Sequence, residues 1–125
     1  MVNSMKTVLV VDDSAFMRRT MKSILIRNNF EVVGEATNGI EAVDLYTKLK
    51  PAVVTLDVVM EEMNGLEALK KIMIIDPKAN VIMVSSMGQD IIVRDAIVVG
   101  AKNFILKPYT EEQVVRALDK IIELL

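Results

Sequence analysis

The chain has 125 residues and a mass of 13.9 kDa, with 52% hydrophobic and 26% charged residues. That is too apolar for a disordered chain and fits one compact unit, so a single domain over 1–125 is expected. Fifteen Lys and Arg face seventeen Asp and Glu, a net charge of -2, which argues against nucleic acid as a partner. Cysteine and histidine are both absent. Thiol nucleophiles, zinc–thiolate centres, Ser-His-Asp catalysis, histidine-ligated metals and phosphohistidine carriers are therefore excluded. A metal held here must take oxygen ligands, which favours a hard cation such as magnesium.

The first apolar run, Val8 to Val11, stops at Asp12 and Asp13. It is too short for a signal peptide or a membrane span, so a cytoplasmic protein without membrane insertion is expected.

In chain order, Thr7 to Val11 reads as a first strand. Phe16, Met17, Met21, Ile24 and Leu25 then form one face of a helix. Phe30 to Ala36 is the second strand, with Gly34 as a weak point. Asn38 and Glu41 make a capping box for a helix that buries Ala42, Val43, Tyr46 and Leu49 and stops near Pro51. Ala52 to Leu56 is the third strand and ends at Asp57. Asn64 and Glu67 cap the next helix, whose apolar face is Leu66, Leu69, Ile72 and Met73, with Pro77 as its stop. Val81 to Val84 is the fourth strand and runs into Ser85 and Ser86. A helix from about Gln89 to Val99 ends on Gly100. Phe104 to Leu106 is a short fifth strand before Lys107 and Pro108. Thr110 and Gln113 cap a last helix that lines up Val114, Leu118, Ile121, Ile122 and Leu125.

Five strands alternating with five helices predict an α/β, doubly wound parallel sheet. The strands are unbroken apolar runs, as burial under helices on both faces requires. The nine methionines read as core gap-fillers.

The polar residues gather at strand ends. Asp12 and Asp13 follow the first strand, Asp57 the third, Ser85 the fourth and Lys107 the fifth. In an open parallel sheet these ends share one edge, where ligands bind beside the topological switch point. In the order 2-1-3-4-5, strands one and three are neighbours there, and the three acids converge. Two carboxylates about 4 Å apart repel by about 4 kcal/mol at an effective dielectric near 20. Such a cluster calls for magnesium, which can also hold a phosphoryl oxygen. Lys107 adds a positive charge, Ser85 a hydroxyl donor, and Asp57 a nucleophile able to form an acyl phosphate. Ser86 reads as ordinary loop chemistry.

These residues, with Met60, Met63-Asn64-Gly65 and Lys107-Pro108, resemble the receiver domain of two-component response regulators over essentially the whole chain. Ser14 to Arg18, Gly34 to Gly39 and Ser85 to Gln89 are similar to the stand-alone chemotaxis branch of that family. The resemblance implies a CheY-like, flavodoxin-like fold and a free-standing switch rather than an enzyme. It implies that Asp57 accepts a phosphoryl group from a histidine kinase of the chemotaxis type. Asp12, Asp13, Asp57 and the Val59 backbone carbonyl would bind magnesium, with Asp12 acting partly through water. Ser85 and Lys107 would contact the phosphoryl group, and Phe104 would turn inward as Ser85 moves. The output face would be the fourth helix, fifth strand and fifth helix. Its expected partner is a motor switch protein or an adaptor controlling a flagellar or archaellar motor. A phosphatase is a further candidate partner, and a monomer is expected.

The sequence departs from the family pattern in places. Glu61 stands where proline is usual, Phe104 lacks a tyrosine hydroxyl, and Val59 and Met87 are apolar where a hydrolytic water would approach. A receiver of a non-chemotaxis relay is the alternative. A magnesium-dependent aspartyl-phosphate hydrolase would usually carry a second Asp at the position of Val59. A mononucleotide-binding flavodoxin-like protein would have a Gly-rich loop where Asp12 and Asp13 stand.

Overall fold

The computed structural model describes residues 6–123. The predicted alternation is present throughout: β1 (Thr7–Val11), α1 (Ala15–Arg27), β2 (Glu31–Ala36), α2 (Gly39–Leu49), β3 (Val53–Asp57), α3 (Gly65–Ile75), β4 (Val81–Ser85), α4 (Asp90–Val99), β5 (Asn103–Leu106) and α5 (Glu111–Glu123). All strand pairs are parallel, and the sheet order is β2-β1-β3-β4-β5.

Alternate strand residues feed two separate cores. Leu9, Val11, Val54, Leu56 and Met83 join residues of α2, α3 and α4 on one face. Val8, Val10, Val53, Ile82 and Val84 join residues of α1 and α5 on the other. Burial on both faces explains why these strands carry almost no polar side chains.

Several expectations shift locally. Phe16 is 68% exposed rather than on the buried face of α1. It shares its side of the helix with Thr20, whose hydroxyl donates to the Phe16 carbonyl at 3.0 Å. Leu25 lies nine residues on, about two and a half turns, and so faces the opposite way. Met17, Val43 and Met73 are only half-buried, and Leu49 is exposed. Phe30 precedes β2 rather than joining it. Its N–H donates to the Leu25 carbonyl, and its ring packs into the core beneath α1 and α5. The capping arrangement before α2 is displaced by one residue: Asn38 accepts from the Glu41 N–H, but the Glu41 carboxylate accepts from Thr37. The boxes before α3 and α5 form as expected. α4 starts at Asp90, with Gln89 as its N-cap and the Gln89 side chain accepting from the Ser86 N–H. Leu125 lies outside the described residues.

Two glycines place the loop that follows β3. The Gly65 N–H donates to the Val58 carbonyl at 2.8 Å, and a Cβ on Gly65 would collide with the Asp57 carbonyl. The Gly39 N–H donates to the Met63 carbonyl at 3.0 Å, leaving no space for a side chain there. The segment after Asp57 is thus pinned between the first turns of α3 and α2.

Candidate phosphoryl and metal site

Asp12, Asp57 and Lys107 reach one crevice from the ends of β1, β3 and β5. Carboxylate oxygens of Asp12, Asp13 and Asp57 lie within 4.8 Å of one another. Asp12 and Asp57 are buried, whereas Asp13 is exposed. The Lys107 ammonium donates to Asp12 at 2.9 Å and lies 3.5 Å from Asp57.

The local sequence explains why Asp13 remains available to the crevice. The N-cap of α1 is Ser14, whose hydroxyl accepts from the Met17 N–H. Asp12 accepts from the Ser14 N–H at 2.9 Å and donates its own N–H to the Ala36 carbonyl. The capping duty commonly given to an aspartate before a helix therefore falls to the serine.

The electrostatics match the crowding. Burial first, and the charge of Asp12 after it, together push the Asp57 carboxyl up to about 6, with Lys107 offsetting only part of the rise. Burial disfavours the Lys107 charge, but its hydrogen bond to Asp12 and the attraction of Asp57 outweigh burial and raise its pKa. Burial pushes the Tyr109 phenol up to about 12, with Asp12 and Asp57 adding to the effect. A buried carboxyl that resists ionisation, beside two more acids, is the environment that a hard divalent cation neutralises. The donor set fits such an ion: all oxygens, one carboxylate facing solvent, and no nitrogen or sulfur.

Ser85 is buried at the end of β4, and its carbonyl accepts from the Lys107 N–H at 2.7 Å. The lysine and the serine are therefore linked through the backbone as well as by shared position. Phe104, on β5, is half-exposed. Ser85 and Phe104 both line an apolar groove of about 520 Å³ along α4, together with Val93, Ile97 and Val98. Val59 and Met87 are exposed in the loops after β3 and β4. Two residues near the site were not anticipated. Arg18 donates to the Asp12 backbone carbonyl, and Tyr109 lies in the field of the acids. Arg18 closes the Ser14 to Arg18 segment of the resemblance, but nothing in that segment assigns it a role, since an arginine on a helix ordinarily reads as a solvated charge.

Residues 8–119 match the response regulator receiver domain. The chain belongs to the response regulator receiver family. The chemotaxis protein CheY of Thermotoga maritima is 54% identical over 116 residues, covering 93% of this chain and 97% of that protein. A Bacillus subtilis relative, Protein CcdB, is 48% identical over 118 residues, covering 94% and 98%. Among solved structures, the CheX–CheY–BeF3–Mg complex of Borrelia burgdorferi superposes with a TM-score of 0.88 at 36% identity, covering 92% of this chain and 87% of that one. The receiver is of the chemotaxis response-regulator type, and its sheet order and helix placement are those of a CheY-like fold.

Proposed function

We propose that this receiver is a free-standing phosphorylation switch with Asp57 as its acceptor. The observation that carries the reading is the burial of Asp57 beside Asp12, Asp13 and Lys107 at one sheet edge. A carboxylate oxygen of Asp57 attacks the phosphorus of a phosphohistidine on a chemotaxis-type kinase. The new O–P bond forms as the P–N bond breaks, and the imidazole leaves to take up a proton. Asp12, Asp13, Asp57 and the Val59 carbonyl would hold magnesium, which supplies charge neutralisation for the incoming phosphoryl oxygens. Lys107 offers its ammonium, and Ser85 its hydroxyl, to oxygens of the same group.

The new charge and its acceptor oxygens draw Lys107 and Ser85 inward. Phe104 then follows into the space along the α4 groove, and the face of α4, β5 and α5 shifts between two populated arrangements. The partner read from the chemotaxis relatives is a motor switch protein or an adaptor. A phosphatase is a further partner, supported by the Borrelia CheY that is solved with CheX. A cytoplasmic setting follows from that role. Among the described residues, no helix is long and apolar enough to cross a membrane.

The test is incubation with acetyl phosphate and magnesium, read by intact mass. Wild type should take up one phosphoryl group and Asp57→Asn none; an equal yield in the variant refutes the assignment. The likeness to Protein CcdB, whose name does not mention chemotaxis, favours a second reading as a receiver in another relay. Capture from the native host with and without beryllofluoride separates the two by the partner retained.

A further inference from the structure

The guanidinium of Arg18 spans two elements beside the acid crevice. Its Nη1 donates to the Asp12 backbone carbonyl at 2.8 Å, and its Nε donates to the Glu35 carboxylate at 3.2 Å. Glu35 lies on β2, one residue before Ala36, whose carbonyl accepts the Asp12 N–H at 3.1 Å. β2 therefore grips Asp12 by both backbone groups, directly through the N–H and through Arg18 at the carbonyl. Lys22 holds the other Glu35 oxygen at 2.7 Å and so fixes the anchor of the clasp. The Arg18 side chain is mostly buried, 17% exposed, which is unusual for an arginine on an outer helix.

The carbonyl that Arg18 holds belongs to the peptide joining Asp12 to Asp13. Rotation of that peptide would swing the exposed Asp13 carboxylate relative to the buried Asp12 and Asp57. We infer that Arg18 is a positioning residue for the divalent cation: its fork, braced on Glu35, sets the Asp12–Asp13 peptide so that three carboxylates face one point. This rests on the reading of Asp12, Asp13 and Asp57 as the metal site. The planar guanidinium presents several donors in fixed directions, whereas an ammonium is a point charge on a flexible stem, so lysine does not reproduce the clasp.

Electrostatics alone predicts the opposite outcome on mutation. Arg18 is a cation set against the peptide between two of the acids, and its loss would by charge strengthen cation binding. The sign of the change therefore decides between positioning and charge.

The experiment is calorimetric titration of the full chain with magnesium chloride, with the thermal midpoint of each magnesium-free variant as a folding control. Arg18→Met and Arg18→Lys should each weaken magnesium binding by about ten-fold, the low end of losses from groups that orient metal ligands. Arg19→Met removes an exposed cation on the same helix that takes no part in the clasp, and should leave affinity within about two-fold. Unchanged or tighter binding in Arg18→Met overturns the inference, and so does wild-type affinity in Arg18→Lys. If Arg18→Met fails to fold, Arg18→Lys carries the test. A wild-type chain that gives no magnesium response would instead refute the metal-site reading itself.

Discussion

The Lys107 ammonium donates to the Asp12 carboxylate at 2.9 Å, so the lysine is engaged with a neighbouring acid before any phosphoryl group arrives. It partly neutralises the crevice in the absence of a cation. Lys107→Met should destabilise the magnesium-free protein by about 2 kcal/mol, the scale of a hydrogen bond to a charged group. Saturating magnesium should shrink that difference, because the cation relieves the same repulsion. Urea unfolding with and without magnesium measures both, and a penalty unaffected by magnesium would contradict the shared role.

Asp57 gives the magnesium-free protein an unusual pH response. Its carboxyl is raised from the ordinary 3.8 to about 6 by burial and by Asp12. The folded state then binds the proton more tightly than the unfolded chain. Asp57's contribution to stability is thus greatest below about pH 4 and is lost as the pH rises through about 6. The loss at neutral pH is roughly 3 kcal/mol at most, at about 1.4 kcal/mol per pH unit. Asp57→Asn should remove this slope and make the magnesium-free protein more stable at pH 7. Thermal unfolding from pH 4 to 8 in a chelating buffer tests it; parallel curves for the two proteins would sink the claim.

Magnesium should reverse that penalty. A ligand that binds only the folded state at a hundred times its dissociation constant stabilises by about 2.7 kcal/mol. The shift should fade as the pH falls through about 6 and Asp57 protonates, and it should be lost in Asp13→Asn. Thermal midpoints against magnesium concentration report this directly.

Gly65 is expected to be intolerant of any side chain. Alanine there would force its Cβ against the Asp57 carbonyl and the Val58 backbone, with no flexible group to yield. A cost of about 2–3 kcal/mol fits an overpacked contact of this kind. Because the displaced backbone is that of Asp57, phosphoryl uptake from acetyl phosphate should also slow. A variant with normal stability and normal uptake would show that the loop adjusts freely.

The lifetime of the phosphorylated form should be long for a labile acyl phosphate. Val59 and Met87 are exposed in the loops after β3 and β4, and neither side chain can orient a water. Decay followed by intact mass after removal of acetyl phosphate should be slow to moderate; a half-life under a few seconds would contradict this.

The sequence was legible where one physical demand acted alone. Strands buried on both faces must be apolar throughout, so β1, β3 and β4 stand out, and the acids at the tips of β1 and β3 and the serine at the tip of β4 follow from strand ends. The order of the sheet brought Asp12 and Asp57 together without any local signal beyond that. Legibility failed where two demands competed. Phe16 carries the residue type of a core position on the solvent side of α1, and only the helix phase relative to Leu25 separates the two. Phe30 has the composition of a strand residue, yet its N–H is taken by the turn that ends α1. Arg18 was illegible because its role depends on reaching a backbone carbonyl and Glu35, seventeen residues away.

The chemistry rests on strand tips, while each face of the sheet is sealed beneath them by its own set of helices. The outer surface of α4 is consequently free of any catalytic duty. On the proposed reading, a change at Ile91, exposed on α4 and outside the groove shared by Ser85 and Phe104, would alter which partner is recognised and leave the acid crevice untouched.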